Sequence, residues 1–300
     1  MIAVGSYSGG RTSGYMAHLL QQKFGKDTPF VFTDTGAEHH KTYEFIRKTA
    51  KEFALNLTCL RVVINPELGK PNSYKIVSLD DIGQDLEPFA QMMEKYGTPY
   101  IHGAFCTEMM KTNPFVKYCN DVYGNGAYEC WLGMRADEPR RLKGISSKQA
   151  ELFDKEESKK PKRKLRYLAE ISDFEKQDVL DWWTQQRFDL DLEEPLGNCV
   201  FCIKKGLNKV AYAAKKEPDF AKKFIDLIHS DKVRKTPERK MPYSSMYRGG
   251  RSLESIIRLY QDFTTEDLRE GIRSLKQEEA GSCSESCEAF SSDNLALFDE

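Results

Sequence analysis

The stretch SYSGGRTSGY, residues 6 to 15, constrains the chain more than any other. A strand pattern, MIAVGSY, runs into it and an amphipathic helix pattern, GYMAHLLQQKF, leaves it, so it reads as a strand-to-helix turn. The first N–H groups of a helix lack intrahelical partners and carry the positive end of its dipole, which makes such a turn a seat for an anion. Gly9 and Gly10 are expected to take positive φ and admit a ligand close to the backbone. Ser8, Thr12 and Ser13 add hydroxyl donors, and phosphate is the anion that fits. Ser-Gly-Gly turns also form without a ligand, with Ser13 acting as a helix cap. The spacing matches neither GxGxxG nor GxxxxGK[ST], so another class of phosphate loop is required.

The next segments extend the pattern. TPFVFTDTG (28 to 36) reads as a buried strand ending in an acidic turn, KTYEFIRKTAKEFAL as a helix and NLTCLRVV (56 to 63) as a third strand. Alternating strands and helices imply an α/β fold with a Rossmann-like parallel sheet and helices on both faces. Ligands of such sheets sit at the strands' carboxyl ends, where Ser8–Ser13 and Asp34–Gly36 would meet. Residues 64 to 105 are irregular and read as an insertion over the site. CTEMMKTNPFVKYCNDVYG (106 to 124) is helical, and YECWLGMRADEPRRL (128 to 142) is a strand emptying into an arginine-rich loop.

The organisation expected is a nucleotide-binding domain over 1–145, a charged loop over 146–166, a mainly helical region over 167–280 and a cysteine-bearing tail over 281–300. The charged loop ends in KKPKRKLR and reads either as a solvated segment or as a lid or nucleic-acid contact. SDFEKQDVLDWWTQQRFDL (172 to 190) is a helix whose Trp182 and Trp183 belong to packing. His39 and His40, at a helix start, read either as substrate contacts or as exposed, incidental residues. A net charge of -1 gives no global pull toward polyanions, and no apolar run approaches a membrane span. With a strand starting at Ile2 leaving no room for a signal peptide, a cytoplasmic protein is expected.

In that setting eight cysteines point to metal binding, chemistry or core packing before disulfides. GNCVFCIKKG carries Cys199 and Cys202 as C-x-x-C, a spacing that lets two thiolates reach one metal. Its late position in a helical region argues against a thioredoxin-like pair. Cys106, Cys283 and Cys287 are the further candidate ligands, whereas Cys59, Cys119 and Cys130 sit in apolar patterns and read as core.

SGGRTS, TDTGAEHHKTYEF, CTEMMKTNP and GMRADEPRR together resemble the phosphoadenosine phosphosulfate reductase family, a branch of the PP-loop ATP pyrophosphatase, adenine nucleotide α-hydrolase-like superfamily. The resemblance covers about residues 1 to 205. It implies that Ser8, Gly9, Gly10, Arg11, Thr12 and Ser13 hold phosphates of ATP or a related adenine nucleotide. Asp34, Thr35 and Gly36 would form part of the pocket, and Arg135, Arg140 and Arg141 would be anion ligands, with Lys111 a further one. Ser8, Asp34, Lys111 and Arg135 are the residues expected to carry the chemistry, with Mg²⁺ as an aid.

Two departures shape the functional expectation. The E-C-G-x-H nucleophile motif of sulfonucleotide reductases is missing, and the Cys-Cys pair of the [4Fe–4S] adenylyl-sulfate branch is reduced to Cys106. Three ligand sets follow. Cys283 or Cys287 completes a four-cysteine site, or Cys106, Cys199 and Cys202 hold a cluster with one open iron, as in related tRNA thiolases. In the third, Cys199, Cys202, Cys283 and Cys287 form a separate site, for which Zn is the alternative to iron and sulfur. The expected activity is ATP pyrophosphatase-type activation coupled to sulfur transfer, with a nucleic acid as substrate and a sulfur donor protein as partner. Sulfonucleotide reduction and non-catalytic nucleotide binding are the alternatives.

Overall fold

The computed structural model describes residues 1–139, 141–142, 164–236 and 239–278. Arg140, Cys283, Cys287 and all of the charged tract before Lys164 lie outside the described residues. Six strands form one sheet in the order β4-β3-β2-β1-β5-β6: β1 Ile2–Ser6, β2 Pro29–Thr33, β3 Asn56–Val63, β4 Ser73–Val77, β5 Tyr128–Leu132 and β6 Lys164–Tyr167. All neighbours run parallel except β4, which pairs antiparallel with β3 at one edge. The chain steps outward from β1 through β2 to β3 and later returns to the other side of β1 as β5. That reversal opens a crevice at the carboxyl ends of β1 and β5, where open α/β sheets bind ligands.

Alternation along the strands divides the core into two faces. Phe30, Phe32 and Trp131 face helices α1 (Arg11–Phe24), α2 (His40–Glu52) and a later helix, α5 (Lys176–Thr184). Val4, Val31, Leu60 and Leu132 face helix α4 (Asn113–Tyr123) through Phe115, Tyr118 and Cys119. Trp183 of α5 is fully buried, and its indole N–H donates to the Arg11 carbonyl at 2.9 Å. Gly14 of α1 leaves room for this ring, because a Cβ there would lie 2.6 Å from it.

A third cluster joins α3 (Glu87–Tyr96) to α6 (Leu207–Lys216), α7 (Pro218–Ile228), α8 (Leu253–Leu259) and α9 (Thr265–Glu278) through Phe89, Phe201, Phe224 and Ile256. This is the mostly helical C-terminal region expected from the sequence. Segment 64–105, expected as an irregular insertion, contributes the edge strand β4 and helix α3. Residues Lys164–Arg166, read as the end of a charged loop, belong to β6, where Arg166 pairs with Glu129 and Glu170.

Candidate nucleotide and thiol site

Helix α1 begins directly after the Ser-Gly-Gly turn, and its first intrahelical bond runs from the Gly14 N–H to the Gly10 carbonyl at 3.0 Å. The amides of Arg11, Thr12 and Ser13 precede that bond and form the donor end of the helix. Gly9 has φ +79°, and a Cβ there would lie 2.7 Å from Ile46. Gly10 does not share the left-handed conformation expected of it: its φ is -98°, which any residue adopts. Ser13 braces the loop. Its Oγ accepts from the Gly10 N–H at 3.2 Å and from the Ser8 hydroxyl at 3.1 Å, and donates to the Gly10 carbonyl at 2.9 Å.

Ser8, Gly9, Gly10 and Thr12 line one side of a cavity of about 240 Å³. Val179, Leu180, Leu190 and Leu192 provide an apolar wall, and Arg135 and Lys176 line it together with Glu193 and Glu194, Lys176 pairing with Glu194 at 3.3 Å. Arg135 follows β5, is buried, donates to Thr12 Oγ1 at 3.3 Å and grips Asp137 through Nε at 2.8 Å. Arg11 also lines the cavity, with its guanidinium bonded to Asp189 at 2.7 and 2.9 Å and to the Leu190 carbonyl. It thereby ties the strap that carries Leu190 and Leu192 to the start of α1. Arg141 pairs with Glu138 at 2.5 Å and is not part of the lining.

The turn after β2 is built differently. Asp34 is fully buried and accepts from the Gly36 N–H at 2.8 Å, the Tyr43 hydroxyl at 2.8 Å and the Arg61 Nε at 2.7 Å. Arg61 continues to Asp85 at 2.7 Å and Glu87 at 2.8 Å, so the expected nucleotide-pocket aspartate anchors the 64–105 insertion to the sheet. Burial and the nearby Glu38 push the Asp34 carboxyl above its ordinary range against the pull of Arg61. Gly36 has φ +70°, and a Cβ there would lie 2.6 Å from the Asp85 carboxylate.

Thr35 lines a second, smaller cavity, which gathers Cys106, Cys199, Cys202 and Lys111. Lys111 is buried and pairs with the equally buried Glu38 at 3.0 Å. Burial alone would raise the Glu38 carboxyl, but the Lys111 charge and the Thr35 hydroxyl hold it below the usual range. The same loop serves both cavities: Gly197 and Asn198 line the first, Cys199 and Cys202 the second.

A zinc ion with bonds of about 2.3 Å needs thiolates about 4 Å apart. Among the described residues, Cys106, Cys199 and Cys202 do not form a set converging within 4.8 Å. They still surround one cavity beside a buried ammonium, a donor set whose chemistry suits a thiolate-held iron–sulfur cluster. Cys59, Cys119 and Cys130 are core residues, as their patterns suggested.

The described group that does converge within 4.8 Å is His39, His40 and Glu217. His39 is buried, contrary to the exposed position expected, because it caps α2. Its Nδ1 accepts the Lys41 N–H at 3.2 Å, which places the ring proton of the neutral form on Nε2, facing Glu217 at 3.0 Å. The nitrogen that would face a metal is thus occupied by a hydrogen bond. Glu38, Arg61, Lys176 and Asn198 escaped sequence reasoning, although Glu38 lies inside TDTGAEHHKTYEF and Asn198 inside GNCVFCIKKG.

Fold and crevice define a Rossmann-like α/β protein of the nucleotide-binding class. Residues 2–188 match the phosphoadenosine phosphosulfate reductase domain, and the chain belongs to that family, whose members bind adenine nucleotides. It is 47% identical over 295 residues, 97% of this chain and 96% of the relative, to the uncharacterized nin region protein ORF290 of Escherichia phage lambda. A shorter stretch of 138 residues, 45% of this chain and 36% of the relative, is 33% identical to sulfate adenylyltransferase subunit 2 of Zymomonas mobilis. Over 113 residues, 38% of this chain and 21% of the relative, it is 30% identical to the uncharacterized protein MJ0973 of Methanocaldococcus jannaschii. Among the described residues no helix is long and apolar enough to cross a membrane.

Proposed function

We propose that this chain is an ATP pyrophosphatase-type enzyme that activates an acceptor for sulfur transfer. The observation carrying this reading is the 197–202 loop, whose Gly197 and Asn198 line the phosphate-loop cavity and whose Cys199 and Cys202 line the thiol cavity. Ser8, Gly9, Gly10 and Thr12 take the nucleotide phosphates, the apolar wall of Val179, Leu180, Leu190 and Leu192 takes the base, and Arg135 neutralises developing charge. An acceptor oxygen attacks the α-phosphorus, the α–β phosphoanhydride bond breaks, and pyrophosphate leaves with the electron pair. Mg²⁺ supplied with the nucleotide would add to the charge neutralisation by Arg135.

Cys106, Cys199 and Cys202 would hold an iron–sulfur cluster, which supplies a site for sulfur when bound. Lys111, paired with Glu38, lines the same cavity as these thiols. The acceptor proposed is a nucleic acid, and the sulfur comes from a donor protein. Kinship with a protein named sulfate adenylyltransferase subunit 2 favours nucleotidyl chemistry over sulfonucleotide reduction.

Anaerobically purified protein tests the reading in two assays. Iron and sulfide are quantified in the wild type and in Cys106→Ala and Cys199→Ala, and pyrophosphate release from ATP is compared with sulfite release from adenylyl sulfate and its 3′-phosphorylated form. Pyrophosphate from ATP and cluster loss in both variants are expected. Sulfite without pyrophosphate would make the protein a reductase, and nucleotide binding with neither product would make it a non-catalytic binder.

A further inference from the structure

Residues 230–251 carry seven basic side chains against two acidic ones, Asp231 and Glu238, in a chain whose net charge is -1. Elsewhere the arginines hold carboxylates: Arg11 binds Asp189, Arg61 binds Asp34, Arg166 binds Glu170 and Arg269 binds Glu193. Among the described residues, none of the seven cations of 230–251 pairs with a carboxylate. Lys235, Lys240 and Arg248 are exposed and Arg251 is partly so. Unpaired cations gathered in one region set up a local positive potential that the net charge does not reveal.

Packing joins these residues into one surface. Arg239 stacks between Tyr100 and Tyr243, its guanidinium 4.9 and 4.7 Å from the ring centroids, and donates to the Thr98 carbonyl at 2.6 Å. The Tyr243 hydroxyl donates to the Thr236 carbonyl at 3.0 Å, which ties the Lys235 stretch to the stack. A Cβ on Gly250 would lie 3.0 Å from Met241 Cε, so the turn Arg248–Arg251 lies against the Lys240 stretch. The Tyr247 N–H closes that turn by donating to the Arg251 carbonyl at 3.0 Å. Gly249 and Gly250, at φ +68° and +67°, are exposed and leave the main chain open between two arginines.

The turn also adjoins the thiol cavity. The Met246 carbonyl accepts from the Ile101 N–H at 2.9 Å, on the segment that leads into Cys106. Tyr247 is buried, and its hydroxyl donates at 3.0 Å to the carbonyl of Phe201, the residue before Cys202. The segment lies outside residues 2–188, which match the family domain, so its charge is no property of that domain.

We propose that the turn Arg248–Arg251, with Lys235 and Lys240 beside it, is a docking surface for the phosphodiester backbone of a nucleic acid. A lone phosphate or nucleotide needs cations converging on one pocket, whereas these four line neither cavity and are spread along a ridge. A chain of phosphates matches a ridge, each taking one cation and releasing a counterion. Basic side chains interleaved with tyrosines are the usual make-up of such a surface. What the docked strand is for rests on the reading given under Proposed function; the binding itself rests on the unpaired charge.

The test follows anaerobically purified full chain by fluorescence anisotropy with three probes of one sequence: single-stranded RNA, single-stranded DNA and duplex DNA. Each is titrated over a range of salt, and urea denaturation checks folding. The wild type is expected to bind at least one probe at about 0.15 M salt, and the probe held most tightly identifies the nucleic acid. In Arg248→Ala/Arg251→Ala the affinity should fall about tenfold. The slope of log affinity against log salt should shrink by about 1.4 for a single strand or about 1.8 for a duplex, the change expected for two lost phosphate contacts. Arg248→Lys/Arg251→Lys keeps the charges and should keep the slope. Should the alanine pair lower the urea midpoint, Lys235→Ala/Lys240→Ala takes its place with the same expectation. A folded variant with wild-type affinity and slope overturns the proposal, and so does a wild type that binds none of the probes. Pyrophosphate release from ATP is measured on the same samples. Probe binding as expected with no pyrophosphate refutes the activation reading and leaves the surface standing; pyrophosphate with no bound probe refutes the surface alone.

Discussion

The cavity at the Ser8–Thr12 turn and the thiol cavity share one loop, yet they are made in opposite ways. The first takes its donors from consecutive residues, Ser8 to Thr12, whose main chain is aimed by a single helix. The second assembles Thr35, Cys106, Lys111, Cys199 and Cys202 from three distant segments and is held by a buried ion pair. A site made of contiguous backbone survives many side-chain changes but few changes of φ. A site made of distant side chains depends on the partners that hold them, and those partners need not touch the ligand.

The sharpest way to break this contrast acts on the turn that supports the second cavity. Arg61→Met leaves Asp34 buried without its cation, and a loss of about 3–5 kcal/mol is expected in urea denaturation. Adding Asp34→Asn to the same chain should recover part of the loss, since the uncompensated charge is then gone. Recovery with a drop in nucleotide affinity would assign Asp34 to the pocket, whereas recovery with unchanged affinity keeps it an anchor.

Arg135→Ala acts on the first cavity alone. Loss of a buried, doubly bonded guanidinium should weaken ATP binding by about 10–100-fold, the worth of a charge-assisted contact, with the thiol cavity unaffected. Isothermal titration and the iron and sulfide content measure the two effects separately. Smaller still is Trp183→Phe, which removes the indole bond to the Arg11 carbonyl and part of a packed ring. A stability loss of about 1–2 kcal/mol is expected, with nucleotide affinity falling only if α1 shifts.

The smallest effect is one of pH. Burial lowers the His39 pKa from 6.5, so the unfolded chain binds a proton more readily than the folded one just below that value. Stability is full above about pH 6.5 and falls as the pH drops beneath it. Denaturation midpoints at several pH values should therefore decline more steeply in the wild type than in His39→Gln. Parallel curves would remove His39 from this role.

The same contrast governs what the sequence revealed. Strands β1, β2 and β3 and the helices that follow the first two were legible because their apolar periods are unbroken and their turns carry Gly, Asp and Thr. The strand-to-helix turn at Ser8–Ser13 was legible for the same reason, although the backbone of Gly10 was not, since glycine permits a positive φ without requiring it. β4 was missed because SYKIV is a short edge strand with little buried surface among prolines and glycines. β6 begins inside a charged run, and composition outweighed the pairing that only the sheet supplies. The Glu38–Lys111 pair spans 73 positions and the Arg61–Asp34 pair 27, so no local pattern announces either. Charge in the sequence says that partners are needed; the topology says which ones.

The central claim is that an adenine nucleotide sits on the Ser8–Thr12 loop. Isothermal titration of anaerobically purified protein with a non-hydrolysable ATP analogue, in the wild type and in Gly9→Val, tests it most directly. Valine at φ +79° and 2.7 Å from Ile46 forces the loop out of shape without removing a single charge. Saturable one-to-one binding in the wild type, and its loss in a variant that keeps the wild-type circular dichroism, is the predicted result. Equal affinity in the two proteins, or no binding in the wild type, would contradict the account.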